Sequence, residues 1–404
     1  MKKVTIILVL ILLVLTQLVP AKSTNAAGIH TAFEASKIVF NRDFINGNHL
    51  VDSRLKDSHS SANEFKLAID TAFLSVYTSQ AKNKADSTYT ASLAELNKSI
   101  GYLYSKVTTN ESQFAEAYDA PGTALILQSV IMIKKFNMSD LTATRQTQVN
   151  YLYDKTKQWL NAKYNSVSGN GYTYKYNVEN QIISGSGESK NAPFAINIVA
   201  LHGGALALDS DFLHKQYGIN TPTSYPYRND ISNIGNYVKA VNFGDYTTQG
   251  RLGNSGGARN YVDTGYMSWH GLGLAQMAHG TVYTQYFSER PSSTFMTEAE
   301  AVVDGFETVY NYTNAIPHEF NGFGTTIKTA TDHREWLYSL AWSGNQSQID
   351  WIDDINILKY GTSTDPVISR VALSDVNDGN SSEANFHRAL SGLTAAMLKG
   401  TTFK

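Results

Sequence analysis

The chain has 404 residues, 42% of them hydrophobic, with a net charge of −2. It is too apolar for a disordered chain and too nearly neutral to present the broad basic face that a phosphate backbone selects, so nucleic acid is not an expected partner. Cysteine is absent, which excludes disulfides, thiolate zinc sites, iron–sulfur clusters and cysteine nucleophiles together; an uncharged polar surface suits a carbohydrate.

The chain opens with Met1, Lys2 and Lys3, followed by an apolar run from Val4 to Leu15 broken only by Thr5, then Pro20 and small residues. This is the pattern of a secretory signal peptide, with cleavage expected after Ala21, Ala26 or Ala27. Residues 1–27 are therefore set apart as signal peptide. No later run is apolar over the roughly 20 residues needed to cross a bilayer, so no membrane association is expected once the signal is removed. The lysine pair and the lack of cysteine fit a protein secreted by a bacterium. Only 8 prolines occur and no Ser/Gly/Pro tract resembles a linker, so residues 28–404 read as one catalytic domain.

Most of that domain has helical period. Residues 62–79 carry Phe65, Ile69, Phe73 and Val76 on one face, and residues 91–107 carry Leu93, Leu96, Ile100 and Leu103. Further helices are predicted over 121–135, 141–165, 193–208, 231–241, 266–287, 297–312, 334–343 and 382–398. Residues 169–183, with Tyr172, Tyr174 and Tyr176 alternating, predict a hairpin or ordered loop, and residues 321–330 are similar. About ten helices paired through long irregular connections predict an all-α fold, an incomplete (α/α)5-6 toroid with long irregular loops and a few short strands.

The most informative stretch is residues 253–279, a glycine-rich polar loop that runs into an apolar helix and carries Arg259, Tyr266 and His270. Tyr266 and His270 are four apart, which puts them on one helical face if the helix has begun by Tyr266. An arginine fork recognises a carboxylate at two points, while tyrosine and histidine can pass protons. Together the three suit a sugar acid.

The run from Arg259 through Tyr266 to Trp269, His270, Leu272, Leu274, Met277 and Ala278 resembles the arginine-then-tyrosine helix of the alginate lyases. Upstream, Lys190, Asn191, Ala192 and Pro193 open a segment continuing to Asp209 that is similar to the family's asparagine-led helix. The likeness extends over about residues 151–351. It implies a toroid fold and β-elimination on a uronic acid, with Arg259 and Asn191 neutralising the carboxylate and Tyr266 moving the proton. The family places a histidine directly after the asparagine, where this chain has Ala192; His202 and His270 are the local candidates for that work.

Tyr172, Tyr174, Trp269, Arg334 and Trp336 are expected to bind substrate, since flat rings with polar tips stack on sugar faces. The expected partner is an acidic polysaccharide, the expected state a monomer, and neither metal nor cofactor is called for. Two other readings stand beside elimination. One is a toroid glycoside hydrolase using paired carboxylates, of which Asp353 and Asp354 are the most noticeable pair. The other is a secreted glycan-binding protein without catalysis.

Overall fold

A computed structural model describes residues 30–46, 51, 62–111, 120–167, 171–174, 196–219, 224–239, 262–283, 290–313, 319–321, 325–328, 335–354, 381–398 and 402–403. It is mostly helical. In chain order the helices are α1 (Ala32–Val39, running on as a π-helical stretch, Phe40–Asn46), α2 (Ala62–Asn83), α3 (Tyr89–Thr109), α4 (Ala120–Phe136), α5 (Ala143–Lys163) and α6 (Ile196–Tyr217). They continue with α7 (Arg228–Lys239), α8 (Thr264–Val282), α9 (Thr294–Thr313), α10 (Glu335–Ser343), α11 (Gln346–Asp354) and α12 (Ser381–Met397). The ten predicted helices are all present, with ends shifted by a few residues. Helices α1 and α11 were not anticipated. Asp353 and Asp354 close α11, the end of a helix whose dipole disfavours carboxylates.

Burial divides the helices into two kinds. In α4, α6, α8, α10 and α12, long consecutive runs are buried, among them Leu125–Ile133, Val199–Phe212 and all of α10. A helix buried on every side needs neighbours on every side. In α3 the buried positions are spaced three or four apart, at Ser92, Leu96, Ser99, Leu103 and Val107, as one face of an amphipathic helix requires. The even-numbered helices form a series of neighbours. Helix α2 packs on α4, α4 on α6, α6 on α8, α8 on α10, α10 on α12, and α12 on α2, so the series returns to its start. Of the other helices, α1 packs on α12, α3 on α2, α5 on α4, α7 on α6, and α9 on α8 and α10.

Directions follow from paired contacts. Between α2 and α12, Phe65 meets Phe386 and Gln80 Nε2 donates to the carbonyl of Ala396; between α8 and α10, Gly271 lies by Ser339 and His279 by Trp342. Residue numbers rise together, so these helices are parallel. Between α2 and α3, Thr71 bonds Ser99 while Tyr77 bonds Thr88, and between α9 and α10, Phe306 meets Trp336 while Glu300 accepts from Asn345. Those pairs are antiparallel.

The tightest contact joins α6 to α8. A Cβ placed on Gly273 would meet the backbone carbonyl of Ala200, and one placed on Gly280 the carbonyl of Ala207, each well inside 3.0 Å. Backbone cannot swing aside as a flexible side chain can, so glycine is required at both positions.

The connections are longer on average at one end, although residues 110–119 there are no longer than 218–227 or 283–293 at the other. Those leading into the N-termini of the even-numbered helices cover residues 47–61, 110–119, 164–195, 240–263, 314–334 and 355–380, whereas those leaving their C-termini cover only 84–88, 137–142, 218–227, 283–293 and 344–345. Short strands mark the longer set. The hairpin β2 (Tyr164–Val167) and β3 (Gly171–Tyr174) precedes α6, with Tyr164 paired to Tyr174. Strand β4 (Val262–Asp263) pairs with β5 (Glu319–Asn321), and β5 with β6 (Thr325–Lys328), which ties the segment before α8 to the one before α10. The hairpin expected over 169–183 thus lies earlier, and that over 321–330 nearly in place. Strands β1 (His30–Thr31) and β7 (Thr402–Phe403) join the two ends of the described chain. Among the described residues no helix is long and apolar enough to cross a membrane.

Gly273→Ala should lower the unfolding free energy by about 3 kcal/mol, the upper end of the usual overpacking cost, because the added methyl meets backbone. Urea denaturation measures it; a change under about 0.5 kcal/mol would show that α6 and α8 are not this close.

Candidate functional site

Among the described residues, the positions assigned from the sequence to catalysis or substrate binding fall at the end where the long connections enter. Tyr266 and His270 occupy the first two turns of α8, His202 the second turn of α6 and Trp336 the first turn of α10. Tyr172 and Tyr174 stand on β3, in the segment that leads to α6. Asn191, Arg259 and Arg334 lie outside the described residues, in the stretches just before α6, α8 and α10, and the signal peptide lies outside them as well.

Helical geometry separates these positions further, because residues seven apart share a stripe to within about 20°. Trp269 shares its stripe with Gln276. Trp269 reaches Phe65 of α2, ring centroids 5.1 Å apart and perpendicular, and Gln276 donates to Gln128 of α4 at 2.8 Å. Helices α2 and α4 are not neighbours of α8 in the series, so this stripe reaches past the helices that flank α8. Phe386 of α12 completes an aromatic layer, 5.5 Å from Phe65 and 6.5 Å from Trp269, with the ammonium of the nearly buried Lys66 5.9 Å from its ring.

The two histidines face elsewhere. His270 shares its stripe with Met277, whose sulfur lies beside Gly203 together with Ile234 of α7. His202 shares its stripe with Asp209, whose partners stand on α5 and just ahead of α7. Both imidazoles are buried. Burial holds the His270 imidazole down at about 3. It is therefore neutral near pH 7, able to accept a proton or hydrogen bond but holding no extra proton to deliver. Trp336 is fully buried between Phe306 and Trp351, at 6.3 and 5.3 Å, which leaves neither face of its ring open for a sugar.

Toward the other end, Asp209 anchors a buried polar cluster. Its carboxylate accepts hydrogen bonds from Tyr153 and Tyr225, the latter at 2.7 Å, and pairs with Lys157 at 2.7 Å. The Lys157 ammonium also lies 5.2 Å from the Tyr153 ring and 5.7 Å from that of Tyr225. Burial, with the negative Asp209 beside them, pushes both phenols well up, so they stay protonated as donors. This cluster joins α5, α6 and the start of α7. No group of three metal-binding side chains occurs among the described residues.

Sequence reasoning missed Phe65, Phe386, Lys66, Asn197, Gln128 and Gln276. Phe65 was read as one of a helical apolar stripe, and only the meeting of three helices makes it part of a layer. Glutamines inside otherwise apolar helices were a legible signal, since a fully buried amide is uncommon. Compared with protein-family models, curated proteins and solved structures, the chain matches none.

Two outcomes test this description. Asp209→Asn should destabilise by about 3 kcal/mol in urea, since it removes the charge that a partly buried lysine faces; a loss below about 1 kcal/mol would show the pair to be dispensable. The second concerns acid. Burial also lowers the His279 imidazole, to about 4, although its Nε2 lies 2.8 Å from the Trp342 carbonyl. The unfolded chain, with histidine near 6.5, therefore binds more protons below that value, and this stabilising contribution is lost as pH falls from 6.5 toward 4. Asp211 acts oppositely, its carboxyl pushed by burial up to about 6, so its contribution is lost as pH rises through 6. The difference between wild type and His279→Gln isolates the histidine. The wild-type urea midpoint should fall more steeply from pH 6.5 to 4.5, and parallel curves would overturn the assignment.

Proposed function

We propose that the even-numbered helices form the inner ring, and the others the outer ring, of an α/α toroid, and that the chain is a secreted polysaccharide lyase. On this reading it cleaves a uronate-containing polymer, alginate-like in chemistry, by β-elimination. The observation that carries the reading is that the seven assigned residues within the described elements, Tyr172, Tyr174, His202, Tyr266, Trp269, His270 and Trp336, stand on β3 or in the first turns of α6, α8 and α10, at the end where these helices begin. Binding and catalytic groups gather on long connections held by a rigid scaffold. The inner helices also turn their N-terminal, partially positive ends to the centre of that face, while the C-terminal ends of the antiparallel outer helices lie at its rim. The dipole field fades within about a turn, so the centre favours carboxylates.

In this scheme Arg259 and an amide such as Asn191 neutralise the substrate carboxylate, which stabilises the developing enediolate and so makes the adjacent C–H acidic enough to lose its proton. Tyr266 takes that proton or hands one to the leaving glycosidic oxygen. Trp269 backs the sugar-binding face. Neither metal nor cofactor enters the scheme.

The test incubates purified mature protein with alginate, pectate, hyaluronan, chondroitin, heparan and glucuronan. Ultraviolet absorbance of an unsaturated uronate is followed together with new reducing ends. Both should rise on one polymer, and Arg259→Ala and Tyr266→Phe should each lower that rate at least about 100-fold while leaving thermal unfolding in place. Reducing ends without absorbance would replace elimination by hydrolysis, and binding without turnover would leave a glycan-binding protein.

A further inference from the structure

Contacts between helices that are not neighbours in the inner series must cross the space the series encloses. The hydrogen bond from Gln276 Nε2 of α8 to Gln128 Oε1 of α4 is one, and it passes over Gly204 of α6, where a Cβ would collide with the Gln276 amide oxygen. The bond uses only half of what the two amides offer. Gln128 Nε2 and Gln276 Oε1 are buried and have no hydrogen-bond partner.

Two further groups face the same space. Asn197 lies two turns before Gly204 on the stripe of α6 that meets Gln276, and its buried Oδ1 also lacks a partner. On α10, Trp336 turns to the outer layer and Ser339 to Gly271 of α8. Tyr338, about 200° around the helix from Trp336, is thereby directed inward. Its hydroxyl is fully buried, with the Trp342 indole beside it but no hydrogen bond of normal geometry.

An amide N–H, two amide carbonyls and a phenol, supplied by α4, α8, α6 and α10, make an uncharged mixture of donor and acceptors. Native proteins rarely leave such atoms unsatisfied, because each has given up its bonds to water. A partner able to donate and accept at once satisfies the set, whereas an anion would meet two carbonyl oxygens and no positive charge. We infer that the interior of the helical ring contains buried hydroxyl-binding groups at two levels, Gln128 with Gln276 at one and Asn197 and Tyr338 about two turns nearer the helix N-termini, that take ordered water or hydroxyls of a neutral polyol. The Trp269–Phe65–Phe386 layer stands between the two glutamines and the long connections, two turns nearer the helix N-termini. This site is independent of the elimination chemistry.

The test uses the whole mature protein, the double variant Gln128→Met/Gln276→Met, which keeps side-chain length while removing both amides, and Tyr338→Phe, which removes one hydroxyl. Oxygen-17 relaxation dispersion counts long-lived internal water, and thermal unfolding is followed with glycerol and with neutral oligosaccharides. Loss of one or more long-lived waters in the double variant, with a weaker loss in Tyr338→Phe, identifies water as the occupant. Stabilisation by a polyol, above that of a matched control protein, in wild type but not in the double variant identifies a polyol hydroxyl. Equal water counts and equal polyol responses in all three proteins would overturn the site.

Discussion

The constraint on which this structure depends is that its central helices are buried on all sides. Such a helix cannot sit at the surface of a two-layer domain; it needs like neighbours to left and right and a cover outside. A series that closes on itself meets that need for every member. The approach of α6 to α8 shows how close the packing becomes, since glycine at 273 and 280 lets one helix rest on the carbonyls of the other. Where backbones come this near, small residues decide the register, and Ala200, Gly204 and Ala207 on α6 answer Gly273, Gln276 and Gly280 on α8.

On the proposed toroid, parallel inner helices with antiparallel outer partners have a further consequence. Each outer helix returns the chain to the same end, so all entries into inner helices share one face and all exits share the other. The exits are shorter on average and need little beyond turn chemistry, as at Gly218 and Gly344, which follow α6 and α10 with φ of +64° and +61°. The entries are longer on average, and the β4–β5–β6 sheet binds two of them together immediately before α8 and α10. Variation is thus concentrated where the scaffold does not constrain it, which is the arrangement a recognition surface requires.

The helices were legible because burial is written into period and composition. The stripe of Phe65, Ile69, Phe73 and Val76 and the unbroken apolar run of α4 both survive as elements with nearly the expected ends. Helix α11 was missed because the polar Gln346–Asp354 segment has little apolar periodicity until Trp351, and α1 because eight residues give too short a window. The site was legible only as positions along the chain. Which way a helical residue faces depends on partners hundreds of residues away. His202 and His270, adjacent to the suggestive motif, turn out to be buried, and Trp336 lies under Trp351. Trp269, expected to bind sugar, reaches past the helices that flank α8 to Phe65 of α2, a meeting that no local pattern could announce.

The burial that organises the fold also limits the chemistry available to it. Histidines inside this protein are driven toward neutrality, His270 to about 3 and His279 to about 4, because burial desolvates the imidazolium. The tyrosines shifted by burial move the other way, with Tyr77, Tyr153, Tyr225 and Tyr338 all held more firmly protonated. A phenol that must give up its proton in such surroundings needs a cation close by to reverse the trend. On the proposed reading that cation is Arg259, seven residues ahead of Tyr266 in the chain. Arginine is suited to the task because it keeps its charge under partial burial, where lysine would lose it. The same guanidinium would then bind the substrate carboxylate, so that substrate arrival alters the field at the phenol. Proton transfer and carboxylate recognition would be coupled through one residue, and the buried histidines would remain what their environment makes them, neutral parts of the wall.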